Sequence, residues 1–418
     1  MNKLLVLSEK IFTIFALIHY IGSPLILLMS GGSSEGDMTE DLFDAQLVRQ
    51  IFLIIYIISF CLLVLRWKQV IPLVLKGGWI WLLLGLAICS IFWSFSPDLT
   101  QTRVIALTGS MMFSLYFASR YTLREQLYLF GWVFGIGTIA SLLFAILLPK
   151  FGIMGGIHAG AWRGIYTHKN GLGRTMLLSI IIFLLLALTT KKNRWLFWTL
   201  LGTSIAMLLL SKSSSPLINL MILMTIFLML QIVRWNYLFL VPALMGILCV
   251  GTISYVLLIT NAGQIASAFG KDLTLTGRTD FWPLILDKIW ENPWLGYGFG
   301  AFWQGLDGPS AYVWNASAFK APNGHNGYLD LCLDLGLVGF AIYTIEFVTG
   351  VQRALIQIRT VSTADAFLPI LLLCLVVLSN LTESSLVVQN NLLWTLQVST
   401  FLSLCSSELS TVDQQVFE

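Results

Sequence analysis

Gly324-His325-Asn326-Gly327-Tyr328 places one of only four histidines where a long polar segment runs back into an apolar one. A neutral imidazole accepts a hydroxyl proton near physiological pH. His325 is therefore a candidate base for a substrate held at a membrane lip; a satisfied interfacial side chain is the alternative. Two other stretches carry cations. His158, Arg163 and the run His168-Lys169-Asn170-Gly171-Leu172-Gly173-Arg174 occupy a loop and the first turn of the next helix, whose amides also favour an anion. A phosphate-bearing head group fits such a site, and a solvated loop touching lipid phosphates fits it equally. Thr276-Gly277-Arg278-Thr279-Asp280-Phe281-Trp282 offers a planar fork at Arg278 that matches phosphate oxygens bidentately. Thr279 or Asp280 would cap the following helix, or Asp280 would simply pair with Arg278. Asp330 and Asp334, four residues apart on one helix face, should look into protein or a water-filled cavity, because apolar membrane is a costly place for carboxylates.

These residues must be positioned by membrane-spanning helices. Hydrophobic residues make up 57% of the chain and charged residues 11%, and the mean hydropathy is +0.83. A hydrocarbon core takes roughly 20 apolar residues per helix. That rule places spans near 11–30, 47–65, 78–95, 103–119, 127–148, 171–190, 195–211, 215–233, 237–259, 327–349, 366–382 and 389–405. The expected fold is all-α and polytopic, with about twelve spans. Residues 1–259 hold spans one to nine, 260–326 form a large loop, 327–405 hold the last three spans, and 406–418 form a tail. The first span lacks a small-residue cleavage site and reads as a retained helix. Arg66/Lys68/Lys76, Arg120/Arg124, Lys191/Lys192/Arg194, Arg234 and Arg353/Arg359 fall on the side of the termini, which makes both termini cytoplasmic. On the opposite side, basic residues concentrate in the 149–174 loop, the 211–215 connection and the 260–326 segment, with Arg103 at a helix entrance. Positive charge kept where the orientation rule disfavours it suggests an anion site there.

Within the large loop, apolar residues at 281, 282, 285, 286 and 289 recur at helical spacing, and the tryptophans favour a membrane interface, so a helix lying at the bilayer surface is expected. Gly296, Gly298, Gly300, Gly305 and Gly308 make the remainder turn-rich. The six cysteines lie within or at the ends of apolar segments and form no disulfide or metal framework. The chain carries no phosphate-cradling Gly-Lys-Ser/Thr loop, no metal-ligand cluster at useful spacing and no Ser/His/Asp order that would serve as a triad. No cofactor and no metal are expected. The net charge of +3 is spread over many loops, which speaks against a nucleic-acid partner.

Together these motifs resemble the superfamily of O-antigen ligases and bacterial polysaccharide polymerases. The resemblance rests on His-Lys-Asn-Gly-Leu-Gly at 168–173 and on Gly-Arg-Thr-Asp-Phe-Trp at 277–282 followed by Asn292-Pro293-Trp294-Leu295-Gly296-Tyr297-Gly298. It rests also on the pattern His-[Asn/Ser/Gln]-x9-Gly-x-x-Gly, met by His325, Asn326, Gly336 and Gly339. It extends over essentially the whole chain, since that family also has about twelve helices, cytoplasmic termini and one large extracytoplasmic loop before the tenth. One position departs: the family's basic residue after Ser-x-Ser at the start of the eighth helix is Ser214 here, and Lys212 is the candidate substitute.

The resemblance implies a metal-independent glycosyltransferase of the integral-membrane C type in the bacterial inner membrane, working on the periplasmic face. Its donor would be a glycan linked through a diphosphate to a polyprenol. Carried onto matching positions, Arg278 is the leading diphosphate ligand and His325 the candidate base, with Asn326 orienting it. Arg163, His168, Lys169, Asn170, Arg174, Lys212 and Asp280 complete the expected substrate-binding set. Membrane lipid surrounds the chain, and a flippase and a chain-length regulator of the same pathway are candidate partners. A polymerase uses another lipid-linked repeat unit as acceptor, whereas a ligase uses lipid A core or a protein; the general look of 168–173 and 322–339 favours the polymerase. Two other classes stay open. A cavity lined by Arg163, Lys212, Arg278 and His325 would also suit an anion transporter for a species such as bicarbonate, and an inactive scaffold is the remaining alternative.

Overall fold

The computed structural model describes residues 3–22, 27–28, 46–235, 278–317 and 320–416, with side chains for all of these except 3, 157, 233, 235, 278–280 and 406–416. The expected span at 237–259 lies outside the described residues. The described chain is helical with no strand; its one extended pairing is an isolated bridge between Ile153 and Trp162. The helices are α1 (Lys3–Ile21), α2 (Gln46–Leu65), α3 (Trp67–Lys76), α4 (Gly78–Cys89), α5 (Pro97–Arg120), α6 (Leu123–Leu147) and α7 (Lys169–Thr189). They continue as α8 (Arg194–Leu210), α9 (Ser214–Trp235), α10 (Arg278–Glu291), α11 (Ala311–Ala316), α12 (Gly327–Thr360), α13 (Leu368–Asn380) and α14 (Leu392–Val416).

Among the described residues, six helices are long and apolar enough to cross a membrane, or seven if α3 and α4, bent by 85°, form one broken span. The all-α polytopic architecture is thus as the sequence implies, while individual segments differ. The first helix begins at Lys3 and ends at Ile21 instead of covering 11–30. Hydropathy excluded its start because Glu9 and Lys10 are charged. In the fold Glu9 is buried, and its carboxylate takes Arg66 (2.7 and 2.8 Å) and Arg120 Nε (2.7 Å). Arg66, next after α2, and Arg120, the last residue of α5, thereby tie α1 to α2 and α5, because a buried carboxylate is tolerated only when paired.

Association of helices in lipid depends on close packing more than on apolar burial. At Gly109 a Cβ would stand 2.3 Å from the Tyr56 ring, so only glycine lets α5 press on α2 there. The aromatic rings of α5 and α6 continue this core, with Phe113 stacked on Phe117 at 6.1 Å and Phe117 against Phe130 at 5.5 Å. Thr122 and Glu125 form a reciprocal capping box that starts α6 immediately after α5 ends.

Candidate active site

Helix α12 is interrupted at Gly336, where φ is 66° and ψ −169°. A straight helix of this length would reach about 51 Å at 1.5 Å per residue, well beyond a hydrocarbon core of about 30 Å. Residues 337–360 are long enough to span, and 327–335 form a separate short arm.

The break is filled by the glycine-rich loop that precedes it. Tyr297 N–H donates to the Leu333 carbonyl (2.7 Å) and Gly298 N–H to the Asp334 carbonyl (3.1 Å). In return Leu337 and Val338 donate to the carbonyls of Pro293 (2.7 Å) and Trp294 (3.2 Å). The same loop is pinned from the other side: Phe95 N–H donates to the Tyr297 carbonyl (2.9 Å), Trp93 Nε1–H to the Leu295 carbonyl (3.0 Å) and Thr100 Oγ1–H to the Phe299 carbonyl (3.0 Å). Arg103 at the start of α5 bonds the Gly300 carbonyl. The motifs at 292–298 and at 325–339, separate in sequence, are therefore two halves of one joint.

His325 sits just above the short arm, in the left-handed region at φ 46°, with its N–H donating to Asn323 Oδ1 (3.0 Å). Asn326 caps the arm: its Oδ1 accepts from Tyr328 N–H (3.0 Å) and Leu329 N–H (3.3 Å). That carbonyl oxygen is thus taken up by the helix, and through it Asn326 fixes the backbone beneath His325. Asp330 faces back into this loop. It accepts from Gly324 N–H (3.0 Å to each oxygen), Trp303 Nε1–H (2.8 Å) and Ser384 Oγ–H. The expected interior-facing role of Asp330 is thereby explained.

Helix α10 carries the second motif. It buries Phe281, Ile285 and Ile289 against Phe302, Val313 and Leu333, while Leu286 and Trp290 remain exposed. The Trp282 indole N–H donates to the Gly324 carbonyl (3.0 Å), adjacent to His325. Arg278 opens this helix four residues earlier, about 6 Å along its axis. The side chains of Arg278, Thr279 and Asp280 lie outside the described residues, and it is Trp282 that ties the start of α10 to the His325 loop.

The cationic loop at 149–174 meets the 211–215 connection. Trp162 N–H donates to the Leu210 carbonyl (3.0 Å), Ser213 Oγ–H donates to Asn170 Oδ1 (2.8 Å), and a Cβ at Gly160 would stand 3.6 Å from Lys212 Nζ. Lys212 is exposed and has φ 50°. Lys169 donates its backbone N–H to Met154 Sδ (3.3 Å). Arg163, expected as an anion ligand, is 1% exposed and directs its guanidinium to the carbonyls of Phe151 (2.7 Å), Lys150 (3.3 Å) and Thr167 (3.5 Å). Burial lowers its pKa. It closes the loop, because a guanidinium has five donors with which to satisfy carbonyls that have no helix to join.

His168 is the N-cap of α7, its Nδ1 accepting from Asn170 N–H (3.2 Å). Burial first, then the nearby His158, Lys169, Arg174 and Arg163, lower its pKa to about 4. The ring is neutral at physiological pH, with its proton on Nε2. Because this folded pKa lies below the ordinary value, the cap is fully intact above about pH 6.5 and is lost as pH falls toward 4. Melting curves taken between pH 7 and pH 4 will show wild type losing stability relative to His168→Asn, which caps without titrating.

Glu383 joins the two halves and was not foreseen. Its carboxylate pairs with Arg174, and its carbonyl accepts from Gly327 N–H (3.2 Å). Its neighbour Ser384 reaches Asp330, and the buried Asn380 holds the turn through Ser385 N–H (2.8 Å). A Cβ at Gly327 would stand 2.2 Å from Asn380 Oδ1, so this close approach requires glycine. The polar runs 382–385 and 389–391 between apolar helices were the available sign. Among the described residues no group of three or more His, Cys, Asp or Glu side chains assembles that would hold a metal ion.

The described helices are those of an all-α polytopic membrane protein, with a helix broken at Gly336 beside the His325 loop. Residues 199–344, which include Arg278, His325 and Gly336, match the family model described as O-Antigen ligase. Over these residues, about a third of the chain, the protein is similar to the O-antigen ligases. It is also 32% identical over 89 residues to the "Exopolysaccharide production protein ExoQ" of Rhizobium meliloti (strain 1021), a match covering 21% of this chain and 20% of that relative's length.

Proposed function

We propose that the chain is a metal-independent glycosyltransferase that polymerises polyprenyl-diphosphate-linked repeat units on the periplasmic face of the bacterial inner membrane, with both termini cytoplasmic. The observation that carries this reading is the bond between Trp282 and Gly324, which joins the Arg278 helix start to the His325 loop. The printed name of the exopolysaccharide relative favours polymer formation. Transfer to lipid A core or to a protein is the second reading, favoured by the family model's description.

In the reaction, an acceptor hydroxyl oxygen attacks the anomeric carbon as the bond from that carbon to the diphosphate oxygen breaks. His325 takes the hydroxyl proton, and the polyprenyl diphosphate leaves with the bonding electron pair. Negative charge grows on the leaving group, so fixed cations aimed at it stabilise the transition state more than the ground state. Arg278 is the principal such cation, with Lys169, Lys212 and Arg174 on the neighbouring loop and helix end. Asp280 would hold Arg278 or cap its helix. Arg163, Asn170, His168 and Asn326 shape the backbone that presents these groups.

Base catalysis contributes about 10²–10⁴-fold, so His325→Ala should retain residual activity, whereas Arg278→Ala should fall further. The test is the surface-glycan profile of a deletion strain complemented with each variant. Single repeats replacing long polymer support the polymerase, and polymer stranded on its lipid carrier supports the ligase. A profile unchanged by either substitution overturns glycosyl transfer and directs attention to anion uptake.

A further inference from the structure

At the end of the bundle opposite the His325 loop, a cavity of about 410 Å³ opens between the last turns of α7 and α9 and the turn that links α12 to α13; Thr189, Gln231, Arg234, Ser362, Thr363 and Phe367 are among its lining. Helices α7, α9 and α12 start at the site described above and end here, so the cavity takes no part in that site. Arg234 is its fixed cation. One of its N–H groups donates to the Val361 carbonyl (2.5 Å), and the guanidinium lies over the Phe367 ring (5.4 Å), which packs in turn on Phe227 (5.2 Å). Among the described residues that carbonyl is its acceptor and no carboxylate pairs with it, so donors remain of the five a guanidinium has. Charge around the mouth is of one sign. Lys191, Lys192 and Arg194 follow the end of α7, Arg359 precedes Ser362 by less than one turn, and all four are exposed. Asp365, the carboxylate of the linking turn, is 7% exposed and does not line the cavity.

A guanidinium held at a cavity wall presents a planar fork that matches phosphate oxygens, and Gln231, Ser362 and Thr363 add neutral donors beside it. The position favours a lipid over a soluble anion: the cavity sits at the ends of membrane-length helices, and Leu188 in its lining is apolar and 40% exposed. Basic pockets between such helices attract anionic head groups. We propose that this cavity binds the phosphate of an anionic phospholipid from the leaflet at this end, tying α9 to the α12–α13 turn. The binding is independent of glycosyl transfer at the other end.

The test uses the full-length protein. Native mass spectrometry from detergent, titrated with phosphatidylglycerol or with phosphatidylcholine, reads affinity, and melting in nanodiscs of each lipid reads the tie between the helices. Wild type should bind phosphatidylglycerol about tenfold more tightly than phosphatidylcholine and melt higher in its nanodiscs. Arg234→Gln should lose about tenfold in affinity for phosphatidylglycerol. Lys191→Gln combined with Lys192→Gln, two exposed positions that leave the fold untouched, should lose roughly fivefold. Lys68→Gln, at an exposed lysine that does not line the cavity, should bind as wild type does. Inorganic phosphate added to phosphatidylcholine nanodiscs should leave the melting temperature unchanged. Phosphatidylglycerol bound no more tightly than phosphatidylcholine, or Arg234→Gln and the double variant both binding as wild type, overturns the proposal. Protection by inorganic phosphate as strong as that by phosphatidylglycerol also overturns it and assigns the cavity to a soluble anion.

Discussion

Replacing Gly336 with alanine is expected to destabilise the protein by about 3–5 kcal/mol and to abolish the glycosyl transfer proposed for it. The conformation at φ 66°, ψ −169° is one that essentially only glycine adopts, and strain there costs roughly 1–3 kcal/mol. A Cβ would stand 2.2 Å from the Trp294 carbonyl carbon and oxygen. That carbonyl cannot retreat, because it accepts from Val338 N–H, so relief of the clash strips hydrogen bonds from both strands of the joint, each worth about 1 kcal/mol or more when buried. Gly85→Ala in α4 is the control, since an added Cβ there meets nothing within 4 Å. Melting temperatures in nanodiscs should separate the two, and a Gly336→Ala protein as stable as Gly85→Ala would show that the break is not held as described.

The second large effect is at Asp330. Asp330→Ala leaves the Gly324 amide, the Trp303 indole and the Ser384 hydroxyl without their acceptor. Each unpaired donor costs roughly 1–3 kcal/mol, less where water can replace the carboxylate. The greater loss should be in activity: the His325 loop is anchored through Gly324, and a displacement of about 1 Å at a reacting group can cost about 10²-fold. Asp330→Asn keeps one acceptor oxygen and should lie between alanine and wild type. Transfer activity and melting temperature, read together, check the order, and full activity in Asp330→Ala would count against the loop's dependence on this carboxylate.

How much of this was legible in the sequence depends on whether a residue's partner was near it in the chain. The start of α12 at Gly327 and its Asn326 cap follow from local pattern, and α10 was visible from its apolar spacing. Gly336 could be seen in the sequence, but its reason could not, because the groups that replace its helical hydrogen bonds come from 293–298. Arg163 looked like an anion ligand for the same reason: a loop sequence does not reveal that the loop folds its own carbonyls around the guanidinium. Glu9 hid the true start of α1, since its compensating arginines lie at 66 and 120. Glu383 passed as part of a linker until the fold set it between Arg174 and Gly327. The cap role of His168 needed the helix boundary to be known to the residue.

The borrowed hydrogen bonds at the α12 break bear on how the chain is inserted. Four backbone groups of the joint, the carbonyls of Leu333 and Asp334 and the amides of Leu337 and Val338, are satisfied only when the preceding loop has arrived on the same side of the membrane. In an apolar medium each unmatched group costs several kcal/mol. A chain threaded with that loop on the other side would leave these four groups unmatched, so the joint penalises that topology in the same measure as it stabilises this one.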